Sequence, residues 1–157
     1  MFSIIAAVGK NNEIGKNNKL LFHIKDDMKF FREKTLGHKV VMGFNTWNSL
    51  PAKLKNRENM VVSESDFDGP DYIIHDVDKF IQENKDTEEE IFIIGGGMIY
   101  KLFLPHAKIL YLTEVDASDP EATIFFPDFN KTKYTKTILH KGSENDLNYD
   151  ISKYEKS

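Results

Sequence analysis

The chain has 157 residues, which suits one domain spanning residues 1–157 and allows a hydrophobic core without disulfides or a structural metal. It contains no cysteine, which excludes disulfides, thiolate metal sites and cysteine nucleophiles and is compatible with a reducing, cytoplasmic location. The net charge is -4 with both signs interleaved, so we expect no nucleic-acid partner.

Apolar runs separated by turn-forming residues predict the strands of a sheet, at 2–8, 39–43, 59–63, 72–75, 91–94 and 108–115. Several runs are apolar throughout, which is typical of strands covered by helices on both faces. Helical patterns lie between them at 25–35, 44–50, 77–85 and 97–104, with Asp76 as an N-cap and Pro105 as a stop. No run approaches the roughly 20 apolar residues of a membrane helix, so we expect no membrane partner.

The C-terminal region follows a different pattern. Residues 132–140 and 147–155 predict two antiparallel strands joined by a polar turn at 141–146. The sequence therefore predicts an α/β fold: a central, mostly parallel mixed sheet with a C-terminal antiparallel hairpin and helices on both faces. Two segments without periodicity, 9–24 and 116–128, are predicted to be loops, and loops of this length often bind or cover ligands.

Three consecutive glycines follow the apolar run at 91–94. Gly95, Gly96 and Gly97 have no Cβ, so the backbone there can approach a phosphate closely. A glycine cluster after a strand is about equally typical of a plain tight turn. Gly43 ends another apolar run before a helical pattern, so two such junctions favour an elongated ligand that carries phosphate groups.

Asp27 is the leading candidate for proton chemistry. It lies in the first turn of the first predicted helix, and Met28, Phe31 and Thr35 follow on the adjoining face. Partial burial beside that apolar face would raise the pKa of Asp27 and let it bind a protonated heterocycle or transfer a proton. Asp26 and Asp27 also suit the positive end of the helix dipole, and from this pair alone that structural interpretation is the more common one.

Other candidate residues are weaker on their own. Arg57 would bind a carboxylate through two hydrogen bonds, although an exposed arginine without a ligand is the commoner case. Thr113 is a hydroxyl in an apolar strand and needs a partner if it is buried, either backbone or ligand. Phe31, Leu50 and Leu54 fit a hydrophobic core by pattern. The five histidines lack metal-ligand spacing, so we expect no metal site.

In their order and spacing, these residues resemble the dihydrofolate reductase family from Met1 to about Asp128. The matching elements are Ser3-Ile4-Ile5-Ala6-Ala7, Ile14-Gly15, Asp27 with Phe31, Val40-Val41-Met42-Gly43 with Thr46-Trp47, Arg57, Ile94-Gly95-Gly96-Gly97 with Tyr100, Tyr111-Leu112-Thr113, and Phe126-Pro127-Asp128. The resemblance implies NADPH-dependent reduction of 7,8-dihydrofolate to tetrahydrofolate, with hydride transfer to C6 and protonation at N5. It also implies a monomer that binds antifolate inhibitors.

The resemblance further implies residue roles. Asp27 and Thr113 would be catalytic, with Asp27 binding the pterin and promoting protonation at N5. Substrate contacts would come from Ile5, Ala7, Met28, Phe31, Leu50, Leu54, Ile94 and, at the glutamate carboxylate, Arg57. Cofactor contacts would come from Ala7, Ile14, Gly15, Gly43, Thr46, Ser63, Gly95, Gly96, Gly97 and Tyr100. The family also has a cis peptide between the residues matching Gly95 and Gly96, and a loop matching 9–24, with Gly15 as a candidate hinge, that closes over the nicotinamide.

Two departures from the family pattern bear on the cofactor. Leu20-Leu21-Phe22 replaces the usual Leu-Pro-Trp, so closure of the 9–24 loop is expected to differ. The positions that usually recognise the 2′-phosphate carry Phe44, Asn45, Glu64 and Met98. Glu64 would repel that phosphate but would accept a hydrogen bond from a ribose 2′-OH. With only Ser63 and Lys39 left to help, we expect weak discrimination between NADPH and NADH.

Two other functions fit part of the pattern. A reductase of related fold that acts on another heterocycle, such as the reductase domain of riboflavin synthesis, keeps the glycine junctions without requiring Asp27, Arg57 and Thr113 together. A nucleotide-binding module without turnover would tolerate the altered cofactor positions. Conversion of dihydrofolate by the purified protein separates these functions.

Overall fold

A computed structural model of the chain describes residues 1–16, 19–20 and 22–157, with backbone alone at 19–20. The helices among these residues are α1 (Lys25–Thr35), α2 (Phe44–Ser49), α3 (Val77–Asn84) and α4 (Gly97–Phe103). The strands among them are β1 (Phe2–Val8), β2 (Glu13–Lys16), β3 (Lys19–Leu20), β4 (Lys39–Gly43), β5 (Glu58–Val62), β6 (Tyr72–Ile74), β7 (Ile91–Gly95), β8 (Ala107–Val115), β9 (Ile124–Phe125), β10 (Tyr134–Glu144) and β11 (Leu147–Lys156).

Eight of these strands form the central sheet, in the order β10-β11-β8-β1-β7-β4-β5-β6. Neighbours from β8 to β6 pair in parallel, whereas β11 pairs antiparallel with both β8 and β10. The predicted α/β fold, with a mostly parallel sheet and an antiparallel C-terminal hairpin, is confirmed. Because parallel strands end at one edge of a sheet, the glycine junctions after β4 and β7 lie side by side.

Alternating residues of the apolar strands build a core on each face of the sheet. Val41 packs on one side with Phe80 of α3 and Phe103 of α4. Val40 packs on the other side, where Phe30 of α1 and Trp47 of α2 cover the sheet. Helices therefore lie on both faces, as the continuous apolar runs predicted.

Several predicted boundaries need correction. The segments 9–24 and 116–128 are not entirely loops, because β3, β2 and β9 form a small three-stranded sheet. Strands of two to four residues are too short to show a period, and their pairing depends on partners distant in sequence. Gly15, the candidate hinge, lies inside β2, where it is in register with Leu20 and Ile124.

The turn of the C-terminal hairpin is shorter than the predicted segment 141–146. β10 continues to Glu144, and the chain reverses at Asn145 and Asp146, whose φ angles are 50° and 65°. Asn and Asp tolerate this left-handed conformation better than most residues do. β10 is a largely exposed edge strand and therefore contains polar residues up to its end. Polarity alone could not predict where the strand ends and the turn begins.

Two predicted helix ends are confirmed. The Asp76 carboxylate accepts a hydrogen bond from the backbone N–H of Lys79 at 3.1 Å, which caps α3. α4 ends at Phe103, and Pro105 lies in the 3-10 turn that follows. Within the described part of the chain, the helices are all too short or too polar to cross a membrane.

Candidate functional site

Asp27 and Thr113 form a hydrogen-bonded pair between α1 and β8. Thr113 is buried, and its hydroxyl donates to Asp27 Oδ1 at 2.6 Å. Ala7 is in register with Thr113 across β1 and β8, so these three predicted site residues lie together. Burial raises the pKa of Asp27, and the Thr113 hydrogen bond offsets part of that increase. Asp27 can therefore take up a proton closer to neutrality than an exposed aspartate.

Asp26 and Asp27 are adjacent in sequence but have opposite properties. The Asp26 carboxylate is exposed, and its Oδ2 accepts a hydrogen bond from the Tyr149 hydroxyl at 2.5 Å. That bond lowers the pKa of Asp26, whereas burial raises the pKa of Asp27. The pKa values of these two neighbouring carboxyl groups are therefore moved apart, and Asp27 is the one that binds a proton more readily.

An apolar surface adjoins Asp27. It consists of half-buried side chains that pack against the core cluster containing Ile5, namely Phe31, Leu50, Leu54 and Ile94. Met28 differs from these because its side chain is 56% exposed. The structure thus brings together most of the predicted substrate-binding residues, with Met28 at the exposed margin beside Asp27.

Arg57 lies at the opposite end of α1 from Asp27. Its guanidinium donates from Nη1 to Thr35 Oγ1 at 3.2 Å and from Nε to the carbonyl of Lys55 at 3.0 Å. Because a helix rises about 1.5 Å per residue, Asp27 and Thr35 are about 12 Å apart along α1. A carboxylate at one end and a fixed cation at the other suit a long ligand with a basic ring and an acidic tail. Arg57 also lines an open cavity of about 580 Å³.

The glycine junctions after β4 and β7 adjoin one another. Gly95 has a φ of 129°, which favours glycine, and the peptide between Gly95 and Gly96 is cis, as the resemblance implies. A Cβ on Gly96 would lie 3.5 Å from Thr46 Oγ1, and one on Gly43 would lie 4.0 Å from the Gly95 carbonyl. Backbone atoms, the Thr46 hydroxyl and the side chains of Ile99 and Tyr100 therefore surround these glycines closely. This cradle fits the phosphates of a dinucleotide.

Tyr100 joins α4 to β1 beneath these junctions. Its hydroxyl donates to the carbonyl of Ile5 at 2.8 Å, and burial raises its pKa, so the hydroxyl stays protonated. A Cβ on Gly95 would lie 3.4 Å from that hydroxyl. Tyr100 thus packs beneath Gly95 and connects the cradle to the Ile5 carbonyl.

Acidic and aromatic side chains surround the end of β5. The Ser63 hydroxyl donates to the carbonyl of Ser65 at 2.9 Å, and His75 lies 2.8 Å from the Asp66 carboxylate. Glu64 is exposed. Phe44 packs edge-on against Phe67, with ring centroids 5.1 Å apart, and Met98 is 77% exposed. The charges nearest Ser63 in sequence are thus negative.

The position of Lys39 does not fit the predicted role of this residue in cofactor recognition. It begins β4, whereas Gly43 ends that strand, so about 13 Å separates them at 3.3 Å per residue. Its ammonium pairs with Glu89 at 2.8 Å. Of the two predicted helpers, only Ser63 lies at the strand ends that carry the cradle.

Sequence patterns missed a buried carboxylate in the first long segment. Glu13 accepts hydrogen bonds from the backbone N–H groups of Asn11 and Asp119, both at 2.7 Å. These bonds join the 9–16 segment to the 116–128 segment beside buried Ile14 and Gly15. A lone acid in a polar segment offers no local signal of burial. In the departure Leu20-Leu21-Phe22, Leu21 and the Leu20 side chain lie outside the described residues.

Comparisons with known proteins agree with this geometry. A family model described as Dihydrofolate reductase matches residues 1–156. The dihydrofolate reductase of Buchnera aphidicola subsp. Acyrthosiphon pisum is 36% identical over 148 residues, covering 93% of this chain and 91% of that protein. That of Bacillus subtilis is 32% identical over 162 residues, covering 99% and 95%.

A solved structure gives the same result. Dihydrofolate reductase from Enterococcus faecalis, complexed with NADP(H) and RAB-propyl, matches with a TM-score of 0.88 at 26% identity, covering 100% of this chain and 96% of that chain. The resemblance found in the sequence is confirmed, and the chain belongs to the dihydrofolate reductase family.

Proposed function

We propose that the chain reduces 7,8-dihydrofolate to tetrahydrofolate with NADPH. Family membership supports this reaction, and the observation that carries it is the Asp27–Thr113 pair bordering an apolar surface. When bound, NADPH supplies the hydride that reduces C6 of the pterin. The chain's own residues bind the two rings, exclude water and manage the proton at N5.

Asp27 binds the amidine edge of the pterin through its carboxylate and promotes protonation at N5. Thr113 orients that carboxylate, since it binds one of the two oxygens and leaves the other side facing the ring. The raised pKa of Asp27 lets it hold a proton closer to neutral pH than an exposed aspartate does. Removal of the carboxyl group should therefore affect turnover more than folding.

The remaining substrate contacts follow from the long shape of the site. Phe31, Leu50 and Leu54 enclose the pterin and benzoyl groups, with Met28 at the exposed margin. Arg57 binds the glutamate carboxylate about 12 Å along α1 from Asp27. The backbone carbonyls of Ile5, Ala7 and Ile94 face the rings. The Ile5 carbonyl accepts from Tyr100 and retains a second lone pair for a ligand.

The cofactor lies across the two glycine junctions in this proposal. The phosphates occupy the cradle, and Ile14 and Gly15 of β2 flank the nicotinamide end together with Ala7. The proposed cofactor-binding residues are Ala7, Ile14, Gly15, Gly43, Thr46, Ser63, Gly95, Gly96, Gly97 and Tyr100.

NADH is proposed as an alternative cofactor. Exposed Glu64 and Asp66 give the region after Ser63 a negative charge, which opposes a 2′-phosphate and suits a ribose 2′-OH. Steady-state kinetics with both cofactors test this proposal. A preference for NADPH above about a hundredfold, or 2.7 kcal/mol, would contradict it.

We also propose that the protein acts as a cytoplasmic monomer and that antifolates inhibit it. These proposals rest on family membership. For inhibition there is also a solved relative that is complexed with RAB-propyl. Light scattering at micromolar concentration measures the mass, for which a dimer would contradict the proposal. Titration with a diaminopyrimidine antifolate measures inhibition.

The reaction itself has a direct assay. Purified protein, dihydrofolate and NADPH are mixed, and the loss of absorbance at about 340 nm is followed together with formation of tetrahydrofolate. A reductase acting on another heterocycle would bind NADPH without reducing dihydrofolate. A nucleotide-binding module would show binding with no turnover of either compound.

A further inference from the structure

The C-terminal hairpin holds the start of α1 through two side chains. The backbone N–H of Lys25 donates to the Glu144 carboxylate of β10, whose two oxygens both lie 3.2 Å away. The Tyr149 hydroxyl of β11 donates to Asp26 Oδ2. The next residue, Asp27, is bound by Thr113 of β8. Three consecutive residues of one helical turn are thus attached to three different strands.

Glu144 replaces a cap that the helix lacks locally. Ile24 occupies the N-cap position of α1 and makes no side-chain capping bond. Free N–H groups at a helix start require acceptors, and a carboxylate there also interacts favourably with the helix dipole. Glu144, at the end of β10, supplies that carboxylate from 119 residues away. The hairpin therefore completes the first turn of α1.

Tyr149 is built into the core rather than lying loosely on the surface. It is 3% exposed and packs with Ile24 and Ile151. Gly142 is opposite Tyr149 in the β10–β11 register, and a Cβ on Gly142 would overlap the Tyr149 hydroxyl. Glycine at that position leaves the space through which Tyr149 reaches Asp26. The contact is thus fixed by packing on both strands.

We propose that Tyr149 and Glu144 are positioning residues for Asp27. Thr113 fixes one oxygen of the Asp27 carboxylate, and the hairpin fixes the backbone that carries it, so the second oxygen keeps its direction toward the pterin. This inference rests on the proposed function, in which Asp27 is catalytic. A misplacement of about 1 Å in a catalytic group is enough to lower turnover strongly.

The charges around this turn show that the link persists at neutral pH. The ionisable groups facing it from α1, β10 and β11 are Asp26, Asp27, Lys29, His140, Glu144 and Tyr149. The hydrogen bond to Asp26 raises the pKa of Tyr149 to about 12 and lowers the pKa of Asp26. Donor and acceptor therefore keep their states from weak acid to weak base.

Tyr149→Phe tests the proposal, with Tyr154→Phe as the matched control. Tyr154 lies on the same strand, is 2% exposed, and donates to Glu114 Oε2 of β8 at 2.8 Å. We expect Tyr149→Phe to lower kcat/KM for dihydrofolate about tenfold, mainly through kcat. Water admitted to the loosened turn would relieve the burial of Asp27 and lower its pKa. Tyr154→Phe should leave kcat/KM within about twofold.

A second readout needs no turnover. Titration of the Asp27 carboxyl carbon by NMR in the ligand-free protein should show a lower pKa in Tyr149→Phe and an unchanged one in Tyr154→Phe. Equal losses of activity in the two variants, or unchanged kinetics and titration in Tyr149→Phe, would overturn the proposal. A wild-type protein that fails to reduce dihydrofolate would overturn the proposed function instead, a different outcome.

Glu144 gives an independent test if Tyr149→Phe does not fold. Glu144→Ala removes the acceptor for the Lys25 N–H, whereas Glu144→Gln retains one oxygen. We expect about a threefold loss of kcat in Glu144→Ala and recovery to near the wild-type value in Glu144→Gln. Equal kcat in the wild type and both variants would show that the cap does not position Asp27.

Discussion

The hydroxyl of Thr113 donates to Asp27 Oδ1 across 86 residues of sequence, at a distance of 2.6 Å. The bond joins the central sheet to the first turn of α1. It also stabilises the ionised form of a carboxyl group whose burial favours the protonated form. Burial and the Thr113 hydrogen bond thus shift the pKa of Asp27 in opposite directions.

Replacing Thr113 by Val removes the hydrogen bond while nearly preserving shape. The pKa of Asp27 should rise further, since the ionised form loses its donor. We expect kcat/KM to fall about tenfold at neutral pH, equivalent to about 1.4 kcal/mol. Thr113→Ser retains the hydroxyl and should stay within about threefold. A Thr113→Val protein with the wild-type pH profile would contradict this role.

Asp27→Asn should stabilise the protein at neutral pH. Because the folded-state pKa of Asp27 is raised, its ionisation costs stability above the unfolded-state pKa of about 3.9, and this cost disappears in acid. We expect a gain of about 1 kcal/mol at pH near 7 by urea unfolding. The gain should vanish at pH near 3.

Asp26→Asn is the control for that gain, since it alters the neighbouring carboxyl with the opposite pKa shift. The pKa of Asp26 is lowered, so its ionised form is favoured in the folded state and the variant should be less stable at neutral pH. A loss of stability in Asp27→Asn equal to that in Asp26→Asn would contradict the assigned burial.

Glu13→Gln should loosen the connection between the two long segments. In the wild type, two backbone N–H groups donate to the two Glu13 oxygens. In the variant, the amide NH2 would face one of these N–H groups without an acceptor, which should lower the free energy of unfolding by about 2 kcal/mol. Burial raises the pKa of Glu13, but backbone N–H donors lower it overall. Its stabilisation is therefore present above about pH 4.3 and lost as the pH falls through the lower folded-state value.

Glu121→Gln provides the comparison for Glu13→Gln. Glu121 pairs with Lys16 at the surface of the same two segments, and such exposed pairs contribute about 0 to 1 kcal/mol. Urea titrations of both variants at neutral and acid pH measure the difference. Equal destabilisation by the two substitutions would show that Glu13 has no special role in joining the segments.

Glu64→Lys should shift cofactor preference toward NADPH. An ammonium at this exposed position would attract a 2′-phosphate, where we propose that Glu64 repels it. We expect the ratio of kcat/KM values for NADPH and NADH to rise about tenfold. Glu88→Lys makes the same change of charge just before the start of β7, whereas Glu64 follows the end of β5, so the two positions lie at opposite ends of the parallel strands. An equal shift in both variants would indicate a general charge effect.

The fold was largely predictable because its signals are local. Continuous apolar runs marked the buried strands, and Asp76 marked a helix start through its own short-range bond. Gly43 and Gly95 marked the two junctions because a close backbone approach or a positive φ requires glycine there. The family resemblance then named Asp27 and Thr113 together as catalytic residues, although no local pattern connects them.

The missed features depend on contacts between distant segments. Glu13 is buried only because Asp119 comes back to meet it, and the two-residue strand β9 exists only through pairing with β2. The bond between Tyr149 and Asp26 likewise joins the last strand to the first helix. Residue type and spacing do not predict such long-range contacts, since the same polar residue type occurs at both exposed and buried positions.

In the proposed reaction, Asp27 manages the proton while dihydrofolate is reduced. The pH profile of NADPH-dependent kcat/KM for dihydrofolate, measured in the wild type and in Asp27→Asn, tests this role directly. We predict a loss of at least about a hundredfold at pH near 7 in the variant, with partial recovery in acid, where the substrate arrives already protonated. An Asp27→Asn enzyme with wild-type kcat/KM at neutral pH and an unchanged profile would contradict the account.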